Sequence, residues 1–112
     1  MKYAVPVSGG VVSAHFGHCE QFALIDVDEA KKQILKKELV NSPGHEPGLL
    51  PKWLHDQGAD IVIAAGMGER AQQLLEEKGI EVIIGAPMDS PESLTNQYLS
   101  GTLVTGANVC DH

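Results

Sequence analysis

The sequence predicts an α/β fold built as one domain around a five-stranded mixed sheet, and three observations support this prediction. The second half of the chain alternates short apolar runs with amphipathic segments, which is typical of parallel strands joined by helices. The first half contains two apolar segments separated by a short charged turn, which indicates an antiparallel hairpin. The chain has 112 residues, of which 43% are hydrophobic, as expected for one globular domain.

Three strands are predicted in the first half. The first strand covers residues 2–7 and is short, apolar and β-branched, although Pro6 cannot donate a hydrogen bond within a sheet. The second strand covers residues 21–27, and the third covers residues 33–40 with the alternation of a half-solvated edge strand. Residues 8–18 are rich in serine, glycine and histidine and are predicted to form a loop.

Two buried strands and three helices are predicted in the second half. The strands are unbroken apolar runs, and the helices show apolar positions on one face and end near a glycine. The strands cover residues 59–65 and 80–84, and the helices cover residues 49–57, 69–78 and 90–100. Residues 1–100 thus form a single α/β domain, and residues 101–112 form a C-terminal tail.

The five predicted strands are expected in the order 3-2-1-4-5, with helices on the faces of the sheet. Strands 1, 3, 4 and 5 then point in one direction, and strand 2 points in the other. Their carboxyl ends share one rim with four loops, residues 8–20, 41–48, 66–69 and 85–89. Open α/β sheets bind ligands at this carboxyl rim, so we expect the binding site there.

The composition excludes several classes of function. Fifteen acidic residues against eight basic ones give a net charge of −7, and Arg70 is the only arginine, so nucleic acid is not an expected partner. No apolar run approaches the roughly 18 residues that span a bilayer, and residues 1–7 do not resemble a signal peptide. The two cysteines are expected to be free thiols, which predicts a cytoplasmic protein without membrane contact.

The main candidate for a binding site is the run His15-Phe16-Gly17-His18-Cys19, in the first loop of the carboxyl rim. Its two imidazoles and one thiol suit iron, zinc, copper and iron–sulfur clusters better than calcium or magnesium. Gly17 would let the backbone bend sharply or approach a bulky ligand. In the structural alternative, Phe16 packs in the core, His15 and His18 lie in solvent, and Cys19 is a small buried residue.

Other residues of the carboxyl rim extend this candidate site. His45 falls in the loop after the third strand, and Gly66 and Gly68 precede a helix whose first N–H groups favour anions. These glycines allow either tight packing or the close approach of an anionic cluster. Cys110 is a second soft ligand, and the tail that carries it is long enough to return to this rim when extended. The alternative is a frayed tail without a function.

The number of cysteines limits how a cluster could be held. Two cysteines cannot supply four thiolates within one chain. A homodimer could supply four, or a monomer could hold a preformed cluster through a few histidine and cysteine ligands. Catalysis is not expected, because Cys19 with His15 or His18 could form a nucleophile and its base, but no third orienting group is identifiable.

Several motifs along the chain match one known family. They are the first strand followed by a Ser/Gly loop, Ser13-x-His15-Phe16-Gly17 leading to Phe22, Gly58-Ala59-Asp60, Gly66-Met67-Gly68 and Asn96-Gln97-Tyr98-Leu99-x-Gly101. The chain resembles the dinitrogenase iron–molybdenum cofactor biosynthesis family over nearly its whole length. The resemblance implies a ribonuclease H-like α/β fold and the binding of iron–sulfur or molybdenum-containing clusters, without firm enzymatic activity. In cofactor carriers of this family the histidine of the His-Phe-Gly run is the cluster ligand, and it corresponds to His15.

The sequence therefore predicts a small non-catalytic protein that binds, and carries or transfers, an iron–sulfur or molybdenum–iron–sulfur cluster. His15 is the expected main ligand, with help from Cys19 and His18 and with Cys110 as a further metal ligand. A protein that donates or accepts the cluster is the expected partner, and the chain is a monomer or a homodimer. Two alternatives stay open, namely a metal-free protein–protein adaptor and a hydrolase with a single zinc or iron ion.

Overall fold

The computed structural model describes residues 1–44 and 48–106, and within them the architecture is α/β. A mixed sheet lies at the centre, and three α-helices cover its two faces. The strands are β1 (Lys2–Ser8), β2 (Val11–Val12), β3 (Gln21–Asp28), β4 (Gln33–Asn41), β5 (Ile61–Ile63) and β6 (Glu81–Ile83), and the helices are α1 (Leu49–Asp56), α2 (Glu69–Glu77) and α3 (Pro91–Ser100). None of the described helices is long and apolar enough to cross a membrane.

Five strands lie side by side in the order β4-β3-β1-β5-β6, and β2 pairs with the end of β1. The pairings of β1 with β5 and of β5 with β6 are parallel, whereas β3 is antiparallel to both β1 and β4. Strands β1, β4, β5 and β6 therefore end at one rim of the sheet, the carboxyl rim. The predicted strands 1 to 5 correspond to β1, β3, β4, β5 and β6.

The prediction of a five-stranded sheet was wrong by one strand, because residues 8–18 are not entirely a loop. Val11 and Val12 form β2, which pairs with Ser8 and Val7 of β1 across a two-residue turn. Gly9 and Gly10 have φ values of 65° and 86°, as a type I′ hairpin turn requires at both central positions. A Gly-Gly pair between two short apolar segments is the sequence signal for this hairpin.

Pro6 lies in a central strand without disrupting the sheet. It stands opposite Phe22 of β3, while the pairing of β1 with β5 involves only Tyr3 and Ala4. The Pro6 carbonyl accepts a hydrogen bond of 2.8 Å from the Ser13 N–H. The nitrogen and the carbonyl of one strand residue point to the same side. The nitrogen of Pro6 therefore points away from β3, past the end of the pairing with β5, where the sheet needs no N–H donor.

The alternation of side chains along the strands divides the core into two parts. Ala4 faces α1 and α2, where it joins Leu54 of α1 and Leu75 of α2. Tyr3 and its alternate neighbours along β1 face the opposite side, where α3 packs. Because helices cover both faces, the central strands are apolar on both sides, which explains their unbroken hydrophobic runs.

The chain returns to the carboxyl rim after α3. The Gly106 N–H donates a hydrogen bond of 2.7 Å to the carbonyl of Gly85, which follows β6. A Cβ atom on Gly85 would lie 2.2 Å from the Gly106 carbonyl oxygen, and Gly85 has a φ of 79°. Only glycine therefore fits at this contact. Residues 103–105 of the predicted tail have no regular secondary structure.

We expect the substitution Gly85→Ala to destabilise the protein more than Gly79→Ala. Gly79 has a φ of 78°, but no described atom lies within 4 Å of a Cβ built there. Gly79→Ala should therefore cost only the left-handed backbone penalty of about 1–2 kcal/mol. Gly85→Ala adds the overlap with Gly106, and urea unfolding of both variants measures the difference. Equal losses would show that the Gly85–Gly106 contact adds nothing to stability.

Candidate functional site

The candidate ligands lie on a short 3-10 turn, Phe16–His18, between β2 and β3. Exposure alternates along this segment: His15 and His18 are exposed, whereas Phe16 and Cys19 are 3% and 1% exposed. The buried pair belongs to the core on the α1 and α2 side of the sheet. The turn is therefore anchored from below by two side chains, and it presents both imidazoles to solvent.

The two imidazoles form a close pair. The ring centroids of His15 and His18 are 6.2 Å apart, and the ring planes are nearly perpendicular at 88°. Bonds from histidine nitrogen to a metal measure about 2.0–2.1 Å, so this separation suits ligands that hold one object between or above them. The pair is thus the part of the predicted site that the structure brings together.

Ser13 fixes the backbone of His15. Its hydroxyl donates a hydrogen bond of 3.0 Å to the His15 carbonyl and accepts one of 3.4 Å from the His15 N–H. Ser13 is only 6% exposed, and its own N–H is bonded to Pro6 of β1. The serine of the Ser-x-His-Phe-Gly run therefore positions the histidine relative to the sheet. Ser13 was not among the predicted site residues, although a serine two residues before a candidate ligand is a signal for such a turn.

A backbone hydrogen bond joins the two main loops of the site. The Phe16 N–H donates to the Gly66 carbonyl at 2.9 Å, which ties the 3-10 turn to the loop between β5 and α2. The Phe16 ring packs edge-on against Phe22 at 5.7 Å, and Met67 is completely buried in the same core. The loop after β1 and the loop after β5 are therefore held side by side at the carboxyl rim.

Two glycines of the candidate site border open space. Gly17 and Gly68 have backbone conformations that any residue can adopt, since neither has a positive φ. A Cβ atom built on either would meet no described atom within 4 Å. The backbone at Gly17 therefore does not need a glycine in order to bend. Of its two predicted roles, the close approach of a bulky ligand stays a prediction.

The Cys19 thiol lies beneath the turn rather than at the surface. Burial raises the pKa of this thiol to about 11, although a hydrogen bond with Ser42 acts in the opposite direction. At pH 7 this thiol is therefore protonated, whereas the thiolate is the form that binds metals. Cys19 therefore has the surroundings of a small buried residue, as the structural alternative expects. Its role as a metal ligand stays a prediction. Ser42 was not expected at this position.

The remaining predicted ligands fall outside the described residues. His45 and Cys110 lie in the ranges 45–47 and 107–112. The described chain beside each of them reaches the carboxyl rim. Before His45, the Ser42 N–H donates a hydrogen bond of 3.0 Å to the Glu20 carbonyl, and before Cys110, Gly106 contacts Gly85. Within residues 1–44 and 48–106, no three His, Cys, Asp or Glu side chains are arranged to hold a metal ion.

Comparisons with known proteins agree with the resemblance read from the motifs. The sequence matches the model of the dinitrogenase iron–molybdenum cofactor family over residues 1–101. An uncharacterized protein of Methanocaldococcus jannaschii is 28% identical over 108 residues, covering 92% of this chain and 89% of the relative. The crystal structure of PH0822 is 28% identical, with a TM-score of 0.88 over 97% of each chain.

A further solved structure shares the fold at lower identity. The apo form of the orange protein from Desulfovibrio gigas is 24% identical, with a TM-score of 0.75, over 96% of this chain and 93% of that protein. The family match alone spans residues 1–101 of the 112, which is most of the chain. This chain therefore belongs to the dinitrogenase iron–molybdenum cofactor family.

Proposed function

We propose that this protein binds a preformed iron–sulfur or molybdenum–iron–sulfur cluster at the carboxyl rim and passes it on, without catalysing a reaction. The observation that supports this most is the exposed imidazole pair of His15 and His18, 6.2 Å apart on a turn anchored in the core. Membership of the dinitrogenase iron–molybdenum cofactor family supports a metal–sulfur cluster as the cargo. The partner is a cytoplasmic protein that donates or accepts the cluster.

The number of ligands favours a cluster over a single metal ion. A lone zinc or iron ion in a hydrolase typically has three protein ligands, whereas the described residues bring two imidazoles together. A preformed cluster carries its own bridging sulfides, so a few protein ligands suffice to hold it. Incomplete ligation also lowers the barrier to release, which suits a carrier.

We propose that the cluster occupies the open space beside Gly17 and Gly68, since a Cβ atom built on either glycine would meet no described atom within 4 Å. Gly66 closes this part of the site through its hydrogen bond with Phe16, and its own position is buried. We propose that all three glycines line the cluster, with His15 as the main ligand and His18 as the second. The backbone can approach the cargo closely there because no side chain intervenes.

Cysteine ligands would act in addition to the imidazoles. Cys19 can bind metal only after its thiol loses a proton and leaves the core, so we propose that it joins the cluster after the 3-10 turn opens. Cys110 and His45 are proposed as further ligands, since Gly106 and Ser42 bring the chain to the carboxyl rim. His15 and His18 are the ligands that need no such rearrangement.

We expect His15→Ala to abolish most of the cluster uptake, His18→Ala to weaken it, and His55→Ala to leave it unchanged. His55 is an exposed histidine on α1 and serves as the matched control. Anaerobic reconstitution with iron, sulfide and molybdate, followed by visible absorption and elemental analysis, measures the uptake. If the unaltered protein takes up neither metal nor sulfide, the proposal fails and the metal-free adaptor becomes the better interpretation.

The substitution Gly17→Ala separates binding from stability. Because Gly17 has no positive φ and a Cβ there meets no described atom, the variant should keep the melting temperature of the unaltered protein. The added methyl group should weaken cluster uptake by roughly tenfold if the cargo lies against the backbone, because it would overlap the bound cluster. Unchanged uptake by a folded variant would remove Gly17 from the proposed lining.

The Cys19 thiol is expected to resist alkylation in the folded protein. Its pKa of about 11 lies above the ordinary value of 9.0, so the neutral thiol persists at neutral pH and becomes reactive only as the pH rises toward 11. Iodoacetamide at pH 7.5 should therefore label Cys19 slowly in buffer and rapidly in urea, as read by peptide mass spectrometry. Rapid labelling of the folded protein would show that the turn opens readily and favour Cys19 as a ligand.

A further inference from the structure

The outermost strand of the sheet offers a surface that the proposed function does not use. β4 has nine residues, pairs only with β3 among the described strands, and is exposed along most of its length. Leu35 and Leu39 are 65% and 49% exposed, which is unusual for two leucines of one strand. A long strand at the border of a sheet is a template for pairing with another chain.

The backbone groups that point away from the sheet can be assigned. The Ser42 N–H donates to the Glu20 carbonyl at 3.0 Å, and hydrogen-bonded positions alternate along an antiparallel pair. The even-numbered residues from 36 to 42 therefore turn their backbone groups toward β3. Lys37, Leu39 and Asn41 turn theirs outward, where they are able to pair with a further strand.

The sequence of β4 is complementary to itself in one antiparallel register. Centring two copies on Lys37 places Lys36 of each copy opposite Glu38 of the other, and Leu35 of each opposite Leu39 of the other. Opposite charges and apolar pairs directly across an antiparallel ladder are both stabilising. Lys36 and Glu38 are exposed, so both are available for such a contact.

The central Lys37 does not oppose this register. It would face its own copy across the two-fold axis, but its ammonium group forms an ion pair with Glu92 of α3. Neighbouring registers centred on Lys36 or Glu38 would place two uncompensated like charges opposite each other. Leu35 has no partner on β3, so a bulge lies at each of the two ends of the pairing, where Leu35 of one copy meets Leu39 of the other. The regular part of the ladder is therefore centred on residues 36–38 of each copy.

We propose that two copies of this chain associate through antiparallel pairing of their β4 strands, in the register that brings Lys36 opposite Glu38. The two six-stranded sheets then form one continuous sheet across a two-fold axis. The interface is self-complementary, as a two-fold homodimer requires. The interface lies along the outer side of β4, at the border of each sheet, and it leaves the carboxyl rim of both copies accessible.

Charge reversal tests this register. Sedimentation equilibrium at concentrations up to about 1 mM should show a dimer for the unaltered protein. Lys36→Glu and Glu38→Lys should each weaken dimerisation by roughly tenfold or more, because each places like charges across the ladder twice. The double variant K36E/E38K should restore the dimer, and an equimolar mixture of the two single variants should form heterodimers. Lys52→Glu, an exposed charge reversal on α1, is the control for net charge.

The remaining outcomes overturn the proposal. A monomer at every concentration excludes the interface, and a dimer that both single variants leave intact excludes the register. Failure of the double variant to restore dimerisation excludes the direct pairing of Lys36 with Glu38. Because Lys36 also stands opposite Asp26 on β3, far-ultraviolet circular dichroism of each variant first establishes that it is folded.

Discussion

The hydrogen bond from the Phe16 N–H to the Gly66 carbonyl is the contact on which the candidate site depends. The two residues belong to loops that are fifty positions apart in sequence, and they meet because β1 and β5 are parallel neighbours whose carboxyl ends coincide. The Phe16 ring then inserts into the core and fixes the height of the turn above the sheet. The orientation of His15 and His18 follows from this anchoring, since each flanks a buried residue.

Much of the fold follows from the sequence because the long elements carry strong patterns. The parallel strands are buried on both faces, so their sequences are unbroken apolar runs. The start of α3 is indicated by Ser90, which caps it, and by Pro91 at its first position. β2 was not predicted because a strand of two residues is too short to show an alternating hydrophobic pattern. Its signal was the turn chemistry of Gly9 and Gly10, which is local and independent of hydrophobic pattern.

The candidate site was less predictable than the fold. Sequence placed two histidines and a cysteine within five residues, but only the three-dimensional structure separates them into exposed and buried positions. The separation arises because a 3-10 turn repeats every three residues, so His15 and His18 share one side, whereas Phe16 and Cys19 share a second side about 120° away. Spacing alone shows which side chains share a direction, and the neighbouring core decides which direction is inward. Ser42 forms a hydrogen bond with Cys19 because the chain at the end of β4 lies beside the 3-10 turn. No local sequence pattern indicates that contact.

The contact between Gly106 and Gly85 has a practical consequence for anyone who extends the chain. The amino-terminal ammonium group binds the Val27 carbonyl at the far end of β1, whereas the described chain finishes on the same rim as the histidine pair. A purification handle fused ahead of Met1 therefore emerges on the opposite rim of the sheet. The same handle placed after His112 would follow the contact of Gly106 with Gly85 by six residues, and a polyhistidine sequence in that position would add further metal-binding imidazoles near the histidine pair.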